Sequence, residues 1–321
     1  MNEEIPVFGD GDGQLIELIY SLPLPMRLDR WLVKQREEQS RSHIQKFIVS
    51  GLVKVNGQIA KAKRPLRKGD IIQLWLPPPE PLPYLKPEKI AINILFEDKY
   101  IIVINKTSGM AVHPAPGNRT GTLVNALLSH CNDLPGISGE LRPGIVHRLD
   151  KETSGCIVVA KTQEALTKLQ KQIQQRIASR NYLAIVHGKP NEEEGTIIAP
   201  IGRHPIDRKR YAVVDHESSK YACTHWKLLN SFGNYSLLSF KLDTGRTHQI
   251  RVHCSYMKHP ILGDPTYSRC KKLPIKLSGQ VLHANKLGLV HPISGEAMIF
   301  EAPLPLEFER LLSVLKSKES S

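Results

Sequence analysis

The sequence predicts an α+β protein in two parts, and three observations carry that prediction. The chain has 321 residues, too many for one small module and enough for two domains. Short apolar runs bounded by turn residues read as strands, and a few segments of helical period lie among them. Residues 77–90 hold six prolines, which fix φ and remove backbone donors, so this stretch suits neither helix nor central strand. It reads as a semi-rigid linker between a domain at 21–76 and a larger one at 91–313.

Composition narrows the function. The net charge is +13 and the pI about 9.5, which favours an anionic partner, nucleic acid ahead of a membrane surface. No apolar run approaches the ~20 residues of a membrane span, and no basic-then-apolar leader opens the chain. The five cysteines are scattered and form no CxxC pair, which fits reduced thiols and a cytoplasmic location. HExxH, Walker A and Rossmann fingerprints are missing, and GDGDG at 9–13 lacks the glutamate a calcium loop needs. Neither a metal nor a cofactor is expected.

Residues 1–20 carry five acidic groups and no basic one, and read as a flexible acidic arm. Residues 21–76 carry a net +8, the densest positive charge in the chain. There Met26, Leu28, Trp31 and Leu32 suit one face of a short helix. Ser40 or Ser42 can cap a second helix with Ile44, Phe47 and Ile48 inward. VKVNGQIA places Asn56-Gly57 between strand-like arms, a strong hairpin pattern, and RKGDIIQLWL adds a turn and a strand.

In the larger domain, ILFEDKYIIVINK reads as two strands around a Glu97-Asp98-Lys99 turn, and Thr120–His130 as a short helix. Gly144 to Thr162, GIVHRLDKETSGCIVVAKT, reads as strand, charged loop, strand. A loop carrying Arg, Asp, Lys and hydroxyls on a fixed scaffold is a natural place for chemistry. Thr162 can cap a helix to about Ala178, with Leu166, Leu169, Ile173 and Ile177 as its buried stripe. Lys168, Lys171, Arg176 and Arg180 fall mostly on its solvated face. NYLAIVHG reads as a strand, 191–220 as a polar basic loop, and THWKLLN and YSLLSFKLD as two more strands. LHANKLGLVHP and AMIFEAPLP close the domain, followed by a short helix and a polar tail at 314–321.

Several of these stretches match one family in order. HRLDKETSG resembles the signature HRLDKxTSG of the RluA/RluD-type pseudouridine synthases. NKTSGMAVHPAPG resembles the family's first motif, with Thr107 where proline is usual. NYLAIVHG and GRTHQIRVH…HPILGD resemble two further blocks. Residues 21–76 resemble the alpha-L RNA-binding motif of some ribosomal proteins and tRNA synthetases.

The resemblance implies a mixed, mainly antiparallel sheet flanked by helices and loops, with a small alpha-L domain before it. It implies a reaction that detaches uracil from its ribose, turns the base and rejoins it through C5. Asp150 becomes the catalytic carboxylate, acting either as a nucleophile or as a base on the sugar. Arg251 would pair with it and keep it charged. Tyr182 would stack on the uracil. Arg148 would fill the space of the extracted base or hold the nucleotide's phosphate. In the small domain the resemblance points to Arg27, Arg30, Arg41, His43, Lys46 and Lys54 as RNA contacts. The partner it implies is structured RNA, first of all large-subunit ribosomal RNA or its precursor particle. With no coiled coil or interface stripe, a monomer is expected.

Two other classes fit parts of the sequence. A non-catalytic RNA-binding or assembly protein could keep the same fold. A metal-dependent RNA hydrolase could use His248, His253 and His259, although no carboxylate or Cys pairing supports that set.

Overall fold

The computed structural model describes residues 8–9, 13–36, 41–76, 85–115, 117–131, 134–135, 143–207, 210–268 and 274–319, without the side chains of 41–43 and 319. The chain divides into two compact units, Met1–Pro81 and Leu82–Ser321.

The first unit runs β1 (Gln14–Ile19), β2 (Met26–Arg27), α1 (Leu28–Gln35), α2 (Arg41–Val49), β3 (Val53–Val55), β4 (Gln58–Ile59), β5 (Pro65–Leu66) and β6 (Ile71–Leu76). Four strands form an antiparallel sheet in the order β1-β6-β3-β4. Both central residues of the Asn56-Gly57 turn have positive φ, 53° and 78°, as the tight β3–β4 hairpin requires. Leu28, Leu32, Ile44, Val53 and Ile72 are sealed in the core between the helices and the sheet.

Residues 14–20 do not belong to a loose arm. Gln14 to Ile19 pair with the whole of β6, and the Tyr20 side chain is completely buried. The acidic count of residues 1–20 hid an alternation in which Ile16 and Leu18 pack inward while Leu15 and Ile19 face water.

The second unit contains β7 (Asn93–Glu97), β8 (Ile101–Lys106), α3 (Leu123–His130), β9 (Ser154–Ala160), α4 (Gln163–Gln174), β10 (Ser179–His187), β11 (Glu194–Ile198), β12 (Ile201–Arg203), β13 (Tyr211–Val213), β14 (Cys223–Phe232), β15 (Tyr235–Leu242), α5 (Gln249–Tyr256), β16 (Leu282–Val290), β17 (Ala297–Glu301) and α6 (Leu306–Glu319). Nine strands make one sheet in the order β11-β14-β15-β10-β16-β9-β8-β7, with β17 also pairing to β16. Every ladder described is antiparallel except β9 against β16.

The central strands are buried on both faces, and alternation sorts their side chains. Ile102, Ile104, Ile157 and Val159 pack with α3 and α5 on one side. Ile101, Val103, Cys156 and Val158 pack with α4 on the other. α6 covers Ile185 and Leu262 through Phe308, Leu311 and Leu315. Leu315 is buried, so residues 314–319 continue a packed helix instead of forming a tail.

Four further expectations need correction. Ile145 makes only an isolated bridge to Val159, so no strand precedes the charged loop. α4 stops at Gln174 because Arg176 turns left-handed, φ 61°, which leaves Ile177 half exposed and carries Arg180 onto β10. The supposed loop at 191–220 contains β11, β12 and β13, short strands with too little periodicity to stand out. The end of the proline-rich stretch is bound to the second unit: Glu88 N donates to Asn125 O at 2.9 Å, and Asn125 Nδ2 donates to Lys86 O at 2.9 Å. Residues 77–84 and Ser40 lie outside the described residues.

Candidate active site

The charged loop at 147–153 is held where β9 meets β16. Ser154 and Gly155 pair in parallel with His283 and Ala284, and Ser154 Oγ lies 2.8 Å from His283 Nδ1. Gly155 has φ +111°, and a Cβ there would fall 2.2 Å from Ala284 O. Only glycine lets the two strands close at this point.

Lys106, at the end of β8, braces the loop from below. It is almost wholly buried, and its Nζ donates to Thr107 O, Met110 O and Lys151 O at 2.7, 2.9 and 3.0 Å. Burial pushes its pKa down to about 7, against the pull of Glu152 and Asp150. Gly109 N and Ser108 Oγ add hydrogen bonds to Lys151 O and Glu152 O. The NKTSG segment therefore fixes the backbone beside Asp150.

The opposite wall is α5. The turn before it is locked by Gln249, whose carboxamide accepts from Thr244 Oγ1 and Arg246 N and donates to Cys223 O and Thr224 Oγ1. His248 enters the helix in the left-handed region, φ 58°. One turn on, Arg251 is 5 % exposed, yet it reaches Asp150 across 101 residues of sequence: Nη1 donates to Asp150 Oδ2 at 3.0 Å.

Two other arms of the guanidinium are taken by Asp264. Nε donates to Oδ2 at 2.7 Å and Nη2 to Oδ1 at 3.0 Å, while Nη2 also meets Thr266 Oγ1 at 3.1 Å. Asp264 is itself pinned by Thr266 N and Tyr267 N. The hydrogen bonds and charges of Asp264 and Asp150 raise the Arg251 pKa further, against the cost of its burial. The guanidinium is permanently charged and rigidly aimed.

Asp150 and Arg251 line a cleft of about 480 Å³ together with Tyr182, Arg148, His147 and Arg180. Asp150 Oδ1 accepts no hydrogen bond among the described residues. Tyr182 stands on β10 with its ring nearly buried, and that burial pushes its pKa up to about 12. Arg148 is exposed at the rim. His147 lies under the loop, where its Nε2 accepts from Val158 N at 3.2 Å. Burial, and then the nearby Arg180, lower its pKa to about 3, so it is neutral.

The small-domain residues are less uniform. Arg27 is committed to Asp29 through two contacts, 3.0 and 2.7 Å. Arg30 and Lys46 are exposed, and Lys54 Nζ sits 4.0 Å over the Phe8 ring. The side chains of Arg41 and His43 lie outside the described residues.

The three histidines considered as metal ligands are each bonded within the protein: His248 to Tyr267 Oη, His253 to Thr224 Oγ1 and Ala199 O, and His259 to His187 O. A different group, Cys223, His225 and Asp243, comes close together at the cleft edge. There Asp243 is already paired with His225 at 3.2 Å and faces Arg176 at 3.8 Å. Sequence reasoning did not single out Asp264, Gln249 or Lys106. The first stands in the quoted HPILGD and the last in NKTSG, but no spacing rule marks a buried brace.

A sheet-floored cleft with a clamped carboxylate has the form of an enzyme's site, and the small domain is basic, with a net +8 over residues 21–76. The model of the RNA pseudouridylate synthase family matches residues 100–256, and that of the S4 domain matches 26–72. An uncharacterised RNA pseudouridine synthase of Synechocystis is 49 % identical over 92 % of this chain and 90 % of its own. The ribosomal large subunit pseudouridine synthase D of Nitrosomonas europaea is 44 % identical, covering 91 % and 85 %. The solved structure of human RNA pseudouridylate synthase domain containing 4 is 28 % identical, with a TM-score of 0.53 over 70 % of this chain and 93 % of that one. The chain belongs to the RNA pseudouridine synthase family: its substrate is RNA, and its reaction isomerises uridine to pseudouridine. No helix among the described residues is long and apolar enough to cross a membrane.

Proposed function

We propose that this protein converts specific uridines of large-subunit ribosomal RNA, acting as a monomer in the cytoplasm, with Asp150 as the catalytic carboxylate. The observation that carries this reading is the Arg251–Asp150 contact of 3.0 Å at the floor of an open cleft. Relatives named for synthase D of the large ribosomal subunit, at 44 % and 42 % identity, support the choice of RNA.

The reaction breaks the C1′–N1 bond, forms C1′–C5, removes a proton from C5 and returns one to N1. A carboxylate with one oxygen clamped and the other free can meet the sugar either as nucleophile or as base. Arg251 holds that charge in place without giving up a proton. Tyr182, with a pKa near 12, stays a phenol at neutral pH. It serves as a stacking ring and O–H donor, and takes a proton from C5 only after passing its own on. Arg148, exposed at the rim, would fill the gap left by an everted base or hold that nucleotide's phosphate. Arg30 and Lys46 of the S4 domain would meet phosphates, which supply affinity without sequence choice.

The test is a map of pseudouridine positions in total RNA from cells with and without the protein. Loss of specific large-subunit positions is expected. Loss confined to tRNA would overturn the substrate, and an unchanged map would overturn the activity.

A further inference from the structure

Arg180 carries a charge that this protein does not answer. It stands on β10, two residues before Tyr182, and is 6 % exposed. Its Nε is buried without a hydrogen bond, and no hydrogen bond or ion pair to its guanidinium exists among the described residues. The nearby groups do not compensate. His147 is neutral, and its Nδ1, the ring nitrogen left with the proton, also lacks a partner. The Tyr182 phenol is un-ionised. Gly245 leaves the room, since a Cβ there would press to 2.8 Å from Arg180 Nη1. Arg180 lines the same cleft as Asp150.

A buried cation without an anion is unfavourable, and folded proteins keep one mainly where something else completes it. The two carboxylates that line the cleft are engaged elsewhere, Asp150 with Arg251 and Asp243 with His225 and Arg176. Neither makes an ion pair with Arg180 among the described residues, so the missing partner is an acceptor with negative charge. Side chains two apart on a strand lie on one face about 6.6 Å from each other. The guanidinium is therefore within one nucleotide's reach of the Tyr182 ring.

We infer that Arg180 is the seat of a backbone phosphate of the bound RNA, the one 5′ to the uridine whose base lies in the cleft. The inference rests on the reading of the cleft as the uridine site. It separates Arg180 from the exposed arginines, because its contact forms only when the nucleotide is fully inserted. Its charge thus favours the everted nucleotide over RNA merely held at the surface.

The first test needs no RNA. Thermal unfolding of the full chain is followed in inorganic phosphate and in chloride at matched ionic strength, for wild type, Arg180→Met and Arg180→Lys. Phosphate should raise the unfolding temperature of wild type and, in part, of Arg180→Lys, and do so less for Arg180→Met. In chloride, Arg180→Met should unfold no lower than wild type, because it removes an unanswered charge. Equal phosphate shifts in all three proteins, or an Arg180→Met that is weaker in chloride, would overturn the inference.

The second test uses a short RNA carrying a uridine that wild type is first shown to convert. A single neutral methylphosphonate 5′ to it should weaken wild-type binding about tenfold and leave Arg180→Met unaffected. Coupling to a 4-thio substitution of the uracil instead would assign Arg180 to the base carbonyl and overturn the phosphate. If wild type converts no uridine, the functional reading fails, and the phosphate measurement still decides Arg180.

Discussion

Arg251 and Asp264 form a two-point pair, Nε to Oδ2 at 2.7 Å and Nη2 to Oδ1 at 3.0 Å, whose geometry leaves Nη1 pointing at Asp150. Asparagine at 264 keeps the shape but sets an NH2 group against an arginine N–H. Breaking a buried pair of this kind costs about 3–5 kcal/mol. Asp264→Asn should therefore unfold earlier on heating. Its single-turnover rate should fall about tenfold or more, because displaced aim at a reacting centre is expensive. RNA affinity should stay within about twofold. Wild-type turnover in this variant would remove Asp264 from the account of the site.

Asp150→Asn keeps the hydrogen bond from Arg251 possible and removes the charge. It should bind RNA as wild type does and form no pseudouridine; product formed at the normal rate would discard the proposed carboxylate. Arg251→Lys keeps the charge and removes the fork, and one ammonium cannot meet both Asp150 and Asp264 in their present positions. Its turnover should fall by an intermediate amount, with stability falling as well. Comparing the two by product formation separates the need for charge on the acid from the need for its aim.

The Asp150–Arg251 contact became legible through family resemblance alone. The two residues are 101 apart, and no periodicity links a loop to a distant helix. Local chemistry did read well where it was strong: Thr162 accepts from Ala165 N at the start of α4, and Asn56-Gly57 makes its hairpin. It failed where a charged residue was buried. Arg180 looked like one more cation on a solvated helix face, because nothing in a sequence marks where a helix stops short. The left-handed Arg176 stops it and turns Arg180 inward. Asp264 was given no role, since Gly-Asp-Pro is ordinary loop chemistry. β1 was obscured because the acidic residues that precede it, Glu3, Glu4, Asp10 and Asp12, dominated the count for residues 1–20, while the strand itself holds only Glu17.

Five histidines, His147, His187, His248, His253 and His283, have pKa values lowered by burial. Their folded pKa lies below the unfolded value near 6.5. Between those limits the unfolded chain binds protons that the folded chain does not, so stability present above about 6.5 is lost as pH falls. For His147 the loss continues down toward about 3. Denaturant unfolding at pH 7.5, 6 and 5 should give steadily lower stability, and calorimetry at pH 5 should register proton uptake on unfolding. A flat profile over that range would contradict the burial of these rings. His283→Gln, which keeps hydrogen-bonding groups between Ser154 and Ala302, should flatten the acid slope.

Binding to large RNA should depend steeply on salt, because a basic S4 domain works through phosphates. With about three phosphate contacts, affinity falls roughly tenfold or more between 50 and 200 mM salt. Residues 21–76 carry a net +8, and Arg30 and Lys46 present theirs to water. Removal of residues 1–81 takes this unit away as a whole. The truncated protein should lose affinity for large RNA and show a shallower salt slope, while a short RNA held saturating is converted at close to the wild-type rate. The second unit has its own closed core around β8, β9 and β16, which supports its folding alone. An equal loss of binding and of saturated turnover would mean that the S4 domain contributes to the chemistry as well as to capture. An unchanged salt slope would move the main phosphate contacts onto the catalytic unit, where Arg148, Arg176 and Arg246 line the cleft.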